Sequence, residues 1–209
     1  LQRCINTLQS ITSYPKVEII LIDHQSTQSK ARKILNSTKS SPNIMIVSYS
    51  GEFNFSAMIN KGAKEAKGEI IVLLNNDTEI FDSEWLTKLV INVSRKDVGV
   101  AGSLLLFPNG TIQHAGIHPG AGGLMGHGHK HFPEDNPGYF GRLLSTHEVA
   151  SVTGACLATT KDLWNEVGGL DQEFLTVAYN DVDYCLKVRK KGLKVLLVPD
   201  SKVIHHESV

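Results

Sequence analysis

A chain of 209 residues suits one α/β domain with a full core and leaves little room for two. Its 21 basic and 21 acidic residues cancel, so it lacks the global basic field that non-specific nucleic-acid binding needs, and nucleic acid is excluded as a first expectation. Three cysteines, Cys4, Cys156 and Cys185, are an odd, scattered set without a CxxC pair, which fits buried thiols in a reducing compartment better than a disulfide framework. No apolar run approaches the ~20 residues of a membrane helix, and no segment resembles a leader, so a soluble domain is expected.

Residues 17–23 (VEIILID) and 69–74 (EIIVLL) are short apolar runs ended by polar residues, as expected of parallel strands buried on both faces, and 44–47 is a weaker third. Between them, 27–36 and 55–66 have helical spacing, with Gly68 expected to cap the second. This is a βαβαβ pattern. Residues 83–94 read as a helix and 98–107 as a strand, and Pro108-Asn109-Gly110 predicts a hairpin into 111–117. Residues 119–142 have no period and are rich in glycine, proline and histidine, so they are expected to form a long functional or mobile loop. A strand over 151–159, helices over 161–167 and 181–191, and a strand over 194–198 complete the pattern.

In open α/β sheets, ligands sit at the carboxyl ends of strands, so polar residues there are read for chemistry first. Asn75-Asn76-Asp77 follows the 69–74 strand and offers oxygen ligands to a hard divalent cation, although a plain turn explains the same residues. Asn180-Asp181-Val182-Asp183 opens a helix. One acid is accounted for as a cap, leaving Asp181 as a candidate general base. His205-His206 after the last strand could add a nitrogen ligand, against the simpler reading of a solvated pair. His127, His129 and His131 alternate and would share one face if extended, a weaker metal candidate beside the reading of a mobile loop facing solvent or acceptor. Five Asn-x-Ser/Thr sequons, at Asn36, Asn54, Asn76, Asn92 and Asn109, could accept glycans, but Asn76 falls inside the best site candidate.

These three constellations, read with 19–27 (IILIDHQST), 54–77 (NFSAMINKGAKEAKGEIIVLLNND), 152–174 (VTGACLATTKDLWNEVGGLDQEF) and 180–208, resemble family 2 glycosyltransferases of the GT-A fold over almost the whole chain. Gln113-His114-Ala115-Gly116, 137–143 (PGYFGRL) and 205–208 (HHES) are similar to bacterial O-antigen or rhamnosyl transferases. The resemblance implies an α/β, GT-A-like domain over 1–209, its mostly parallel central sheet flanked by helices, with a nucleotide-binding part over about 1–110 and an acceptor-binding part over 111–209. It also implies a first strand that the chain does not contain.

The implied function is inverting transfer of a sugar from a nucleotide-diphosphate-sugar to a hydroxyl of a glycan or lipid-linked glycan, in bacterial cell-surface polysaccharide synthesis. The implied setting is cytoplasmic, at the inner membrane face, with peripheral membrane association of the full-length protein. Residue by residue, Asp23 would meet the donor's base or ribose. Asn60, Asn75, Asn76, Gly154 and Ala155 would contact the nucleotide sugar. Asp77 and His205 would hold Mg²⁺ or Mn²⁺, and Asp181 would be the catalytic base. Asn75 departs from the family by replacing the first acid of its DxD motif, which lowers ligand charge. Rival readings are a nucleotidyltransferase, which needs a basic phosphate loop not seen in the sequence, and a non-catalytic glycan-binding domain on the same fold.

Overall fold

The computed structural model describes residues 1–121 and 123–207. In chain order the elements are α1 (Gln2–Ile11), β1 (Ile19–His24), α2 (Ser29–Thr38), β2 (Ile44–Tyr49), α3 (Phe55–Glu65), β3 (Ile70–Leu74), β4 (Thr78–Glu79) and α4 (Trp85–Val93). They continue with β5 (Val98–Leu106), β6 (Ile112–His114), β7 (Ile117–Pro119), β8 (Met125–His127), a 3₁₀ turn (Tyr139–Leu144), β9 (His147–Glu148), β10 (Cys156–Thr160), α5 (Lys161–Val167), α6 (Asn180–Lys190) and β11 (Lys194–His205).

The main sheet has the order β3-β10-β5-β11-β4, with β6 on β5 and β9 on β11. Strand β11 runs parallel to β5, while β10 is antiparallel to both β3 and β5. Thus β3, β5 and β11 point the same way, and β10, β4, β6 and β9 run against them, giving a mixed α/β sheet. Strand β5 is buried along its whole length. Two of its residues are glycines for a steric reason: a Cβ on Gly99 would stand 2.3 Å from Val188 Cγ1, and one on Gly102 2.5 Å from Val152 Cβ. Leu104, Leu157, Leu197 and Tyr184 build the core on one side of the sheet, and Trp85, Leu89, Leu105 and Val203 build it on the other.

Strands β1 and β2 pair in parallel as a separate two-stranded sheet. Helix α3 packs on both, yet its Ala63 belongs to the same apolar cluster as Ile71 and Leu73 of β3, so α3 joins the two sheets. Among the described residues no ladder links β1 to β3. The Glu18 carboxylate spans the seam instead, accepting hydrogen bonds from the backbone N–H groups of Lys67 and Gly68 (2.8 Å for Gly68). The two sheets thus meet through α3 and Glu18, with no ladder between them among the described residues.

Several expectations need correction. Gly68 does not cap α3: Ala66 ends the helix in extended geometry, and the Gly68 N–H is held by Glu18. The last strand runs on past Pro199 to His205, because its pairing with β5 shifts register between Val198 and Lys202 and no ladder donor is required of the proline. Residues 119–142 contain more order than a structureless loop. A β7–β8 hairpin and a bridge from Thr111 to Pro133 pin them to the sheet. Helix α1 adds to the expected elements, and Cys4, Ile5, Leu8 and Ile11 have the helical spacing that packs it inward.

Candidate active site

Three segments far apart in sequence are fastened together by their backbones. Asn75, at the carboxyl end of β3, donates its N–H to Ala155 O at 3.0 Å. Gly154 donates its N–H to Asp181 Oδ2 at 2.9 Å, and Val182 donates to Asp181 Oδ1 at 2.8 Å. The segment 153–155 therefore links the end of β3 to the start of α6. A Cβ on Gly154 would lie 3.5 Å from Asp181 Cβ, an ordinary contact, so the N–H of this residue matters here more than its lack of a side chain.

At the end of β11, His205 Nε2 lies 3.0 Å from Asp77 Oδ1 and 3.3 Å from Asn75 Nδ2. Gln113 sets this ring: its Oε1 accepts from His205 Nδ1 at 2.7 Å, while its amide donates to His205 O and Glu207 Oε2, both at 3.3 Å. With Nδ1–H engaged in this way, a neutral ring turns the Nε2 lone pair toward the Asp77 carboxylate. The Asn75 amide is a donor to that lone pair at 3.3 Å, and a proton or a cation between ring and carboxylate would relieve the remaining contact with Asp77. Cis ligands of an octahedral ion with bonds of ~2.1 Å stand about 3 Å apart, so the observed separation fits a divalent metal. Among the described residues no set of three or more His, Cys, Asp or Glu side chains could enclose a metal. Two protein ligands leave the other positions to waters and phosphate oxygens, the arrangement Mg²⁺-type ions accept.

The neighbouring histidine goes elsewhere. His206 Nε2 meets Glu79 Oε2 at 2.8 Å and Arg3 at 3.0 Å, in a cluster beside Asn76, which lines a cleft with Leu1, Arg3, Cys4 and Asp77. The other two acids near Asp181 have local partners. Asp171 Oδ1 accepts from the N–H groups of Glu173 and Phe174, which hold its pKa below the ordinary value, and Asp183 pairs with Lys187 at 2.7 Å. Tyr179, the residue before α6, has φ +61°, an unusual geometry for a bulky residue and a sign of local strain where the Asp181 segment is set.

Asp23, the last but one residue of β1, accepts from Ser26 N at 3.1 Å. Asn60 is drawn into a structural clamp: its amide donates to Leu170 O and accepts from Leu170 N, holding the loop that leads toward α6. The alternating histidines do not share a face, because the backbone turns after β8 and puts His129 and His131 at positive φ. His127 pairs with His114, His129 packs on Phe132, and His131 stacks on Phe107, so the three-histidine metal expectation is withdrawn. The cysteines are buried and free, and burial raises the thiols of Cys156 and Cys185 to about 12, which leaves them unreactive. Gln113 and Thr153 carry geometry that sequence reading did not assign. Only the position of Gln113 next to His114, and of Thr153 before Gly154, pointed toward them.

Comparison with solved structures defines the class first. The fold matches GalNAc-T7, solved with UDP, GalNAc and Mn²⁺, at a TM-score of 0.75 and 18% identity, over 99% of this chain and 41% of that one. It matches the Pyrobaculum calidifontis mannosyltransferase PcManGT, solved with GDP-Man and Mn²⁺, at 0.70 and 16%, over 99% and 53%. The class is therefore the GT-A glycosyltransferase fold. The family model "Glycosyl transferase family 2" matches residues 1–163, and the chain belongs to that family. It is 36% identical over its full length to the O-antigen biosynthesis protein RfbC of Myxococcus xanthus and 35% identical to protein y4gI of Sinorhizobium fredii. It spans only 16% and 23% of those two relatives.

Proposed function

We propose that this chain is the catalytic domain of an inverting glycosyltransferase that moves a sugar from a nucleotide-diphosphate-sugar to a hydroxyl of a glycan or lipid-linked glycan, as one step of bacterial cell-surface polysaccharide synthesis. The observation that carries the reading is that the 153–155 backbone bonds both Asn75, two residues before Asp77, and Asp181, while His205 meets Asp77, so that a candidate metal pair and a candidate base are tied to one segment. Asp77 and His205 would hold Mg²⁺ or Mn²⁺, which supplies charge neutralisation to a departing diphosphate. Asp181, anchored through both carboxylate oxygens, keeps a lone pair to take the acceptor's proton as the acceptor oxygen bonds the anomeric carbon and the bond to diphosphate breaks.

On this reading, residues 1–110 bind the nucleotide, through Asp23 among others, and 111–209 receive the acceptor. The protein works in the cytoplasm at the inner membrane face. No helix among the described residues is long and apolar enough to cross a membrane. The test is a thermal-shift series with UDP, GDP and dTDP, each with and without Mn²⁺. A nucleotide held by metal at this site raises the melting temperature only when both are present. No metal-dependent rise with any of the three would overturn the reading.

A further inference from the structure

A buried histidine and an exposed one pair beside this site and have no part in the chemistry above. His114, fully buried on β6, and His127, at the end of β8, approach Nδ1 to Nδ1 at 2.8 Å with their rings edge to face. Such a contact is a hydrogen bond only if one of the two nitrogens carries a proton and the other does not. The far side of His114 decides which. Its Nε2 faces the backbone N–H groups of Gly116 and Thr153, both at 3.4 Å, and both are donors. Nε2 of His114 must therefore be a bare acceptor, and its proton sits on Nδ1.

The consequence passes to His127. Its Nδ1 receives that proton's hydrogen bond, so the ring carries its own proton on Nε2. Burial, and the positive charge of Lys130, lower the pKa of His127 against the opposing carboxylates of Asp181 and Glu207. The ring is then neutral and keeps one N–H donor. His127 lines a cleft with Gln113, Lys130, Thr153, Glu207 and His205, the histidine that meets Asp77.

We propose that His127 contacts the glycosyl group of the donor, its Nε2–H donating to a sugar hydroxyl oxygen, and that His114 is the positioning residue that fixes the tautomer. The inference rests on reading this cleft as the donor site, and the experiment separates the two. It combines ¹⁵N NMR of the imidazole nitrogens in the free protein with titration calorimetry in Mn²⁺. The calorimetry compares UDP, GDP and dTDP with UDP-glucose, UDP-N-acetylglucosamine, GDP-mannose and dTDP-rhamnose. The NMR should show His114 protonated on Nδ1 and His127 on Nε2, and the reverse for either ring overturns the proposal. His127→Ala, at an exposed position, should weaken the nucleotide sugar about tenfold, the effect of one lost hydrogen bond, while leaving the matching nucleoside diphosphate unchanged. His127→Gln, which retains an N–H donor, should recover most of the loss. Equal loss for sugar nucleotide and bare diphosphate, or no loss, overturns the proposal while leaving the donor-site reading intact. Absence of any Mn²⁺-dependent binding in the wild type removes the donor site and this proposal together, with the tautomers as a separate structural fact.

Discussion

The centre at Asn75–Asp77, 153–155, Asp181 and His205 and the excursion over 117–147 are built in opposite ways. In the centre Asp181 and His205 are held by backbone or amide groups from other parts of the chain, Asp77 meets the His205 ring, and β5 beneath is fully buried. The excursion has a short hairpin, several positive-φ residues, and aromatic or aliphatic side chains left in solvent: Leu124, Tyr139 and Leu144, with Phe140 90% exposed. The difference teaches where precision and where adaptability are built. Cross-chain fastening fixes the groups proposed for chemistry, while an apolar, loosely paired rim suits contact with a variable acceptor or a further part of the protein.

The largest break is chemical. Asp181→Asn removes the proton acceptor, and turnover should fall by ~10²-fold or more with nucleotide-sugar affinity little changed. An amide accepts on one oxygen only, so either Gly154 N or Val182 N loses its partner. Thermal melting must accompany the kinetics to separate the lost base from a loosened anchor. A folded variant that turns over at near wild-type rate would remove Asp181 from the mechanism.

The next test addresses the metal side of the same centre. Asp77→Ala should abolish the Mn²⁺-dependent part of nucleoside-diphosphate affinity, since it leaves His205 as the sole charged or imidazole ligand of the pair. Calorimetry with and without metal reads this, and an unchanged metal dependence would place the ion elsewhere.

A pair of glycine substitutions then weighs the two regions against each other. Gly102→Ala forces a methyl into Val152, one residue before the 153–155 segment, and should destabilise the fold by ~1–3 kcal/mol. Gly120→Ala, at φ +80° with open space around it, meets only the cost of left-handed backbone, about 1 kcal/mol. Denaturant midpoints compare them. If Gly120→Ala proved the more damaging, the excursion would be the better packed of the two regions.

The sequence revealed the strands, because a short apolar run such as 69–74, closed by Asn and Asp, fits a buried strand better than any helix or loop. It pointed to the candidate site where those strand ends carry polar residues. What it concealed was pairing. Nothing in a 13-residue spacing joins His114 to His127, and nothing local tells that Asn60 will be spent on Leu170. Alternation misled at His127, His129 and His131, since period two implies a shared face only while the chain stays extended, and here it turns. Pro199 misled in the other direction: it reads as a strand end, but a register shift lets β11 continue to His205, the residue that meets Asp77.

The smallest effect expected is also the one that bears most directly on the comparison. If the excursion is an adaptable rim, its amides should exchange with solvent faster than those of the sheet in the free protein. The β7–β8 hairpin has three residue pairs and covers little apolar surface, so opening it locally costs far less than unfolding β5 or β11. Amides of 117–121, 123–127 and 139–144 should exchange at least about tenfold faster than those of 100–105. Protection should then rise when a nucleotide sugar and Mn²⁺ are added, if the end of β8 closes over the donor through His127. Protection of the hairpin equal to β5 in the free protein would show that the region is structural, and the contrast between a fastened centre and a loose rim would fail.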